Sequence, residues 1–241
     1  MAAKGPVSPY LSVIIPSFNE EKRLTSTLEQ ITAYLRKQRY ASEVIVVDDG
    51  SRDRTIEVAE EKLTGFPHRI LKQGLNQGKG TAVKRGMLEA QGEFLLFTDA
   101  DLSTPIEEAE LLIARLEKGF DIAVGSRALP ESRVQIHQNF LRESMGKIFN
   151  RIARLMSFKK IQDSQCGFKC FRREAARNLF QAQKLKGFSF DAEILYLAQK
   201  KGYRIAEVGV TWRNSPHSRV HILKDSLRML WDVVRIPWIH L

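Results

Sequence analysis

Residues 94–105, Phe94-Leu95-Leu96-Phe97-Thr98-Asp99-Ala100-Asp101-Leu102-Ser103-Thr104-Pro105, carry the pattern on which the fold assignment turns. Four apolar residues, two of them aromatic, have the length and composition of a buried strand. Two carboxylates follow, one residue apart, and then Pro105 suits a first helical turn with Thr104 as its cap. If the chain is still extended at Asp99 and Asp101, their side chains point the same way, because strand side chains alternate with period two. Paired carboxylates repel unless a cation joins them. A hard ion such as Mg2+ or Mn2+ takes one or two carboxylates and fills its other positions with water and substrate phosphates. A solvated acidic turn ahead of a helix would have the same short motif, so the surroundings decide.

Working outward, Leu11 to Ile15, Val44 to Val47 and Ile122 to Val124 are further short apolar runs of strand character. Helical patterns lie between them. Glu20 to Tyr40 places apolar residues at Leu24, Leu28, Ile31 and Leu35, and Asp53 to Leu63, Thr81 to Ala90 and Pro105 to Lys118 behave similarly. Such alternation predicts an α/β fold: a mostly parallel sheet flanked by helices. Ligands of open parallel sheets bind beyond the carboxyl ends of the strands. There the sequence places Pro16-Ser17-Phe18-Asn19-Glu20, Asp48-Asp49-Gly50-Ser51, Asp99-Ala100-Asp101 and Gly125-Ser126-Arg127. Asp48 or Asp49, as acceptor-only groups, suit a base N–H or a ribose hydroxyl. The same four residues also make a turn, with Asp53 capping the next helix.

Several chemistries lack their parts. Gly74-Leu75-Asn76-Gln77-Gly78-Lys79-Gly80-Thr81 has three residues between its first two glycines and Gly80 after the lysine, so it is not a P-loop. Lys79 still suits a nucleotide phosphate. No G-x-G-x-x-G opens a helix after the first strand, no H-E-x-x-H pair is present among five histidines, and no G-x-S-x-G elbow supplies a serine nucleophile. Cys166 and Cys170 have no second cysteine pair or nearby histidine to complete a zinc site and are expected to be reduced core or loop residues.

The chain of 241 residues, 43% hydrophobic and 27% charged, has the composition of one globular domain. Its formal charge of +10 is unevenly placed: residues 1–120 hold 16 Lys+Arg against 18 Asp+Glu, residues 121–241 hold 22 against 10, hence −2 and +12. The second half therefore suits an anionic partner: nucleic acid, acidic lipid or a phosphorylated substrate. A solvated basic surface is the alternative. Met1 to Tyr10 lacks the apolar stretch of a signal peptide, and no apolar run approaches the roughly 18 residues of a membrane span. A cytoplasmic protein, peripheral at most to a membrane, is expected.

Taken in order, these motifs resemble family 2 glycosyltransferases of the GT-A fold, a Rossmann-like nucleotide-diphospho-sugar transferase architecture, and in particular the polyprenyl-phosphate (dolichyl-phosphate) glycosyltransferases. The resemblance covers about residues 9–225. It rests on Leu11 to Glu20, Val46 to Ser51, Asn76-Gln77-Gly78-Lys79-Gly80, Asp99-Ala100-Asp101 and Gly125-Ser126-Arg127. Asp99 to Pro105, Asp163-Ser164-Gln165-Cys166-Gly167-Phe168-Lys169 and Phe188-Ser189-Phe190-Asp191-Ala192-Glu193 are similar to the dolichyl-phosphate β-glucosyltransferase branch. The mannose-transferring branch more typically has Gln where Ser103 stands, which favours UDP-glucose over GDP-mannose.

The resemblance implies inverting transfer of a hexose from a nucleotide-sugar donor to a polyprenyl-phosphate acceptor at the cytosolic face of a membrane. It implies Pro16, Phe18, Glu20, Asp48, Asp49, Lys79, Asp99, Ala100 and Asp101 around the nucleotide, and Mg2+ or Mn2+ on Asp99 and Asp101. Arg127, Arg142 and Arg219 are implied for the acceptor phosphate, and Asp101, Arg127, Asp191 and Glu193 as catalytic candidates. Asp191 and Glu193 also suit the acidic first turn of a helix. The catalytic domain is expected over residues 9–215 and an amphipathic helix over 216–241. In that helix Leu223, Leu227, Leu230, Trp231, Val234 and Trp238 recur at helical spacing, with Lys224, Arg228 and Arg235 elsewhere on the wheel. Such a helix either lies in a membrane interface or packs on the core. Other readings are a non-lipid acceptor, GDP-mannose as donor, or a basic anion-binding module without catalysis. No recognisable RNA or DNA motif is present, so no nucleic-acid partner is expected, and nothing in the pattern specifies an oligomer.

Overall fold

The computed structural model describes residues 8–136, 161–213 and 222–241, with no account of the side chains of Ile136 and residues 222–227. Seven strands form the main sheet: β1 (Leu11–Ser17), β2 (Ser42–Asp48), β3 (His68–Lys72), β4 (Phe94–Thr98), β5 (Ile122–Ser126), β7 (Phe168–Arg172) and β8 (Ile205–Gly209), in the order β3-β2-β1-β4-β7-β5-β8. β6 (Arg133–Ile136) and β9 (Thr211–Arg213) form a separate parallel pair. The helices are α1 (Glu21–Leu35), α2 (Thr55–Leu63), α3 (Lys79–Glu89), α4 (Ala109–Glu117), α5 (Arg173–Ala182), α6 (Phe190–Lys200) and α7 (Ile222–Ile239).

All pairings of the main sheet are parallel except those of β7, which runs antiparallel between β4 and β5. Because its direction is reversed, Phe168 at its start lies beside Thr98 at the end of β4. The loop ahead of β7 therefore reaches the same rim as the loops after β1, β2, β4 and β5.

Strand alternation divides the core into two layers. Leu11, Val13 and Ile15 of β1 pack with Leu24, Leu28 and Ile31 of α1 and Leu112, Ile113 and Leu116 of α4. Ile14 points the other way, toward Ala82 and Val83 of α3, Leu179 and Phe180 of α5, Phe190 and Leu195 of α6, and Val233 and Ile236 of α7. Burial on both faces is why β1, β2, β4 and β5 are fully buried along their length.

Three local expectations are corrected. β4 ends at Thr98 and the chain turns at once, with Leu102 N donating to Asp99 O at 3.0 Å and Leu102 in the left-handed region at φ 45°, so the carboxylate segment is not extended. Pro105 is extended, the first turn after it is a 3-10 helix (Ile106–Glu108), and no side chain, Thr104 included, caps it. α1 stops at Leu35 rather than Tyr40. Asp53 does accept the N–H of Thr55 at 3.1 Å, and it also accepts that of Glu21 at 3.2 Å.

On α7 the expected apolar face splits. Val233 and Ile236 are buried, whereas Trp231 and Trp238 are 66% and 73% exposed. Arg228 and Arg235 are exposed too, and at 100° per residue positions 228, 231, 235 and 238 share one solvent-facing stripe. Among the described residues, no helix is long and apolar enough to cross a membrane.

Candidate active site

The loops at the carboxyl ends of the parallel strands are locked together before any ligand is considered. Asn19, held at φ 52°, donates its N–H to Ser51 Oγ (2.8 Å), and its side-chain oxygen accepts the N–H of Arg52 (2.7 Å). Asp48 closes its own turn by accepting the N–H groups of Gly50 and Ser51. Asp49 reaches further: its carboxylate accepts the N–H groups of Gln77 (2.7 Å) and Gly78 (2.8 Å) and Nε2 of Gln73 (2.7 Å). Asp49 thus fixes the start of α3, and with it Lys79. Gly50 sits at φ +79°, where a Cβ would lie 2.7 Å from the Leu75 carbonyl carbon, so only glycine lets the two loops meet.

Lys79 extends from α3 to Asp99, Nζ to Oδ1 at 2.5 Å. Burial would lower its ammonium, but Asp99 and then Asp191 outweigh that and raise it. Asp101 accepts the N–H (3.1 Å) and Oγ–H (2.9 Å) of Ser103, and Arg23 Nη1 stands 3.6 Å from its other oxygen. Burial, then the neighbouring charge of Asp99, push the Asp101 carboxyl above the usual range, with Ser103 and Arg23 opposing. Arg23 is itself gripped by Glu20, Nε to Oε2 at 2.7 Å and Nη2 to Oε1 at 2.5 Å. The Ala100 carbonyl between the two carboxylates accepts Thr27 Oγ–H at 2.7 Å, anchoring the loop to α1. Pro16 is buried within β1 opposite Val47, and Phe18 is half-buried beside this loop set.

Whether these residues fit a divalent cation is a question of donor chemistry and room. Two hard oxygen donors lie within electrostatic reach of each other: burial first, and then the charge of Asp99, raise the Asp101 carboxyl. Gly167 leaves space for them: a Cβ there would lie 2.1 Å from Asp99 Oδ2. Among the described residues no group of three or more His, Cys, Asp or Glu side chains is assembled for a metal. A hard ion needs only one or two carboxylates from the protein when substrate phosphates complete its shell.

The loop ahead of β7 adds a second charged layer. Arg127, just after β5, forks onto Asp163: Nε to Oδ2 at 2.6 Å, Nη2 to Oδ1 at 2.8 Å, and its backbone N–H to Oδ2 at 3.0 Å. The guanidinium also lies over the Trp212 ring, 5.4 Å from the centroid. Burial alone would raise the Asp163 carboxyl, but Arg127 outweighs it and holds it at about 2. Two of the Arg127 nitrogens are therefore spent on Asp163, which leaves Nη1 for an anion. Arg142 and Arg219 lie outside the described residues. Cys166 and Cys170 are free and buried, and burial pushes the Cys166 thiol up to about 11, so both are inert core thiols as expected.

Asp191 and Glu193 part company. The Asp191 carboxylate, 3% exposed, meets Lys169 Nζ at 2.5 Å and lies within electrostatic reach of Lys79 and Asp99. Glu193, fully buried, accepts the N–H groups of Lys184 (2.7 Å) and Leu185 (2.9 Å), and Nε2 of His240 lies 2.6 Å away. Asp99, Asp101, Asp191 and Lys79 are thus brought together, while Glu193 clamps the 184–185 segment and the end of the chain. Arg23, Asp163, Gly167 and Lys169 join the site without having been assigned roles from the sequence. The three-residue spacing of Glu20 and Arg23 signals only their pairing. The other three lie in the quoted 163–169 motif, but only the reversal of β7 brings that motif to the rim.

Three buried side-chain atoms have no hydrogen-bond partner among the described residues: Ser17 Oγ, Gln165 Nε2 and Gln183 Oε1. Ser17 ends β1, Gln165 lies in the loop that carries Gly167, and Gln183 bonds the Gly80 carbonyl through its amide nitrogen. All three adjoin this rim.

A mostly parallel sheet with paired acidic residues and a lysine at its carboxyl rim is the architecture of a GT-A nucleotide-diphospho-sugar transferase. The chain belongs to glycosyl transferase family 2, whose family model matches residues 12–180, and is a glycosyltransferase. It is 37% identical to the dolichyl-phosphate beta-glucosyltransferase of Dictyostelium discoideum, over 99% of this chain and 77% of that protein. Proteins of the same name from Homo sapiens and Saccharomyces cerevisiae are 36% and 34% identical, over 94% and 96% of this chain and 74% and 75% of theirs. Among solved structures, glucosyl-3-phosphoglycerate synthase from Mycobacterium tuberculosis in complex with uridine diphosphate superposes with a TM-score of 0.70 at 20% identity, covering 95% of this chain and 78% of that one. Mannosyl-3-phosphoglycerate synthase from Rubrobacter xylanophilus superposes at 0.71 and 21%, covering 97% and 74%. The mycobacterial synthase is also known in complex with Mn2+, uridine diphosphate and glucosyl-3-phosphoglycerate. These two likenesses establish the fold.

Proposed function

We propose that this chain transfers glucose from UDP-glucose to a polyprenyl phosphate of the dolichyl type, with inversion at the anomeric carbon and with a divalent metal. The observation that carries the reading is the Asp99–Asp101 pair at the end of β4, with Lys79 Nζ 2.5 Å from Asp99 Oδ1. The names of the relatives, at 34–37% identity over nearly the whole chain, supply the sugar and the acceptor class.

An acceptor phosphate is already ionised at neutral pH, so its oxygen attacks the anomeric carbon without a strong general base while the bond to the UDP oxygen breaks. Positioning and charge neutralisation then carry the rate. Asp99 and Asp101 would hold Mg2+ or Mn2+, which when bound neutralises the departing diphosphate. Lys79 shares that task from the other side. Asp48 and the Ser17 hydroxyl border the nucleoside. Asp191 accepts a sugar hydroxyl, and Arg127, steadied by Asp163 and Trp212, faces the acceptor phosphate with the nitrogen that Asp163 leaves over. We take residues 9–215 as the catalytic unit. On α7, the exposed stripe of Trp231 and Trp238 with Arg228 and Arg235 suits the interface of an anionic membrane, where aromatic rings and cations both find partners.

The test is glucosyl transfer by purified protein from labelled UDP-glucose to polyprenyl phosphate in liposomes with Mn2+. A lipid-linked glucose is expected, with activity of Asp101→Ala down at least about 100-fold. Preference for GDP-mannose, product only on soluble acceptors, or full activity of Asp101→Ala would overturn the reading.

A further inference from the structure

Lys169 is a fully buried cation within the sheet. It lies in β7 between Phe168 and Cys170, in register with Phe97 on one side and Val124 on the other, and is 0% exposed. An ammonium there is stripped of water, and two of its three N–H groups are bonded locally. Nζ donates to Asp191 Oδ1 (2.5 Å) and to the Cys166 carbonyl (2.6 Å), and it lies over the Phe97 ring, 5.3 Å from the centroid.

Stability is a poor reason for such a pair. Replacing a buried ion pair by well-packed apolar residues of similar volume is often neutral or stabilising, because desolvation offsets the Coulombic gain. What the pair does have is location. Cys166 directly precedes Gly167, whose missing Cβ admits the Asp99 carboxylate, and Asp191 stands within electrostatic reach of Lys79 and Asp99. One ammonium thus ties the loop behind the metal-type carboxylate to the carboxylate on the opposite wall.

We propose that Lys169 is a positioning residue for sugar transfer: its ammonium, sealed inside the sheet, holds the Asp191 carboxylate in place at the wall of the donor site. The inference rests on the glucosyltransferase reading. Without Lys169, Asp191 is a buried carboxylate with one lysine left, Lys79, and is drawn toward it, away from the sugar. UDP carries no sugar, so its affinity does not depend on this geometry.

The experiment measures kcat/KM for UDP-glucose and UDP affinity by calorimetry in Lys169→Met, Asp191→Asn and the double variant. Lys169→Met is expected to lose about 100-fold in kcat/KM, the scale of an ångström-sized misplacement, with UDP affinity within threefold of the parent. The double variant is expected to be no slower than Asp191→Asn alone, because Lys169 acts only through Asp191. Lys169→Met at parental activity, or effects that multiply in the double variant, would overturn the proposal. If Lys169→Met alone fails to bind UDP, comparison of Asp191→Asn with the double variant, which leaves no unpaired charge, decides in the same way. Loss of UDP binding in both Lys169 variants would make the pair an element of the fold and would also overturn it. A parent protein inactive on every nucleotide-sugar would instead refute the functional reading.

Discussion

Gly167→Ala isolates the role of Asp99 without touching a charge. A Cβ added at Gly167 would lie 2.1 Å from Asp99 Oδ2, 2.5 Å from Cγ and 2.8 Å from Oδ1, where real Cβ contacts below 3.0 Å essentially never occur. The carboxylate must therefore retreat by about 1 Å, and its 2.5 Å contact with Lys79 goes with it. Gly167 is not among the glycines with positive φ, so alanine brings no backbone strain. The colliding atoms are the end of a side chain that can rotate away, and a compatible Gly→Ala change gains about 0.4–1 kcal/mol by restricting the unfolded chain. That gain offsets part of the loss of the Lys79–Asp99 contact, so the melting temperature is expected to stay close to that of the parent while kcat/KM for UDP-glucose falls about 100-fold, as a misplacement of this size costs. Mn2+ affinity, read by calorimetry in the presence of UDP, is expected to weaken in parallel. Gly187→Ala is the control, since none of the described residues lies within 4 Å of its Cβ position, and should match the parent in all three measurements. A Gly167→Ala protein with parental turnover and parental Mn2+ affinity would refute the placement of the metal on Asp99.

Two other perturbations test separate parts of the molecule. Trp231→Ser with Trp238→Ser changes side chains that are 66% and 73% exposed, so stability should move by less than about 0.5 kcal/mol per site, while sedimentation with anionic liposomes should fall severalfold; undiminished sedimentation would show that this stripe is not the membrane contact. Asp163, held at about 2 by Arg127 against an ordinary value of 3.8, stabilises the fold above its unfolded pKa and loses that contribution as pH falls from about 4 toward 2. Denaturant unfolding should show the parent losing about 2 kcal/mol more than Asp163→Asn across that window, and equal acid limbs would contradict the pairing with Arg127.

Much of the fold was legible because buried parallel strands announce themselves as apolar runs: β1, β2, β4 and β5 fall where Leu11 to Ile15, Val44 to Val47, Phe94 to Phe97 and Ile122 to Val124 predict them. β7 was not, because a strand with a lysine at its centre breaks the apolar run. The carboxylate pair was legible from Asp99 and Asp101, although a turn and not an extended strand brings them together. The pairing of Asp191 with Glu193 misled for a plain geometric reason. Residues two apart on a helix point about 200° away from each other, so only Asp191 faces Lys79 while Glu193 faces His240. The same geometry explains α7: helical spacing alone does not say which stripe finds a partner, and the core took Val233 and Ile236, leaving the tryptophans outside.

The reversal of β7 explains how a chain with a slightly acidic first half and a +12 second half assembles one site from both. The first half contributes the loops after β1, β2 and β4 directly, since parallel strands all end at one rim. The second half contributes the loops after β5 and β8 in the same way, since both run parallel, but a parallel β7 would withhold the loop ahead of it. Its leading loop, residues 163–167, would then lie at the far edge, five residues or about 17 Å away. Running antiparallel, β7 delivers Asp163 to Arg127, Gly167 to Asp99 and, one pleat further in, Lys169 to Asp191. Substitution at these delivered positions is therefore expected to show itself in donor chemistry before it shows itself in stability, which is the order of effects that Lys169→Met and Gly167→Ala measure.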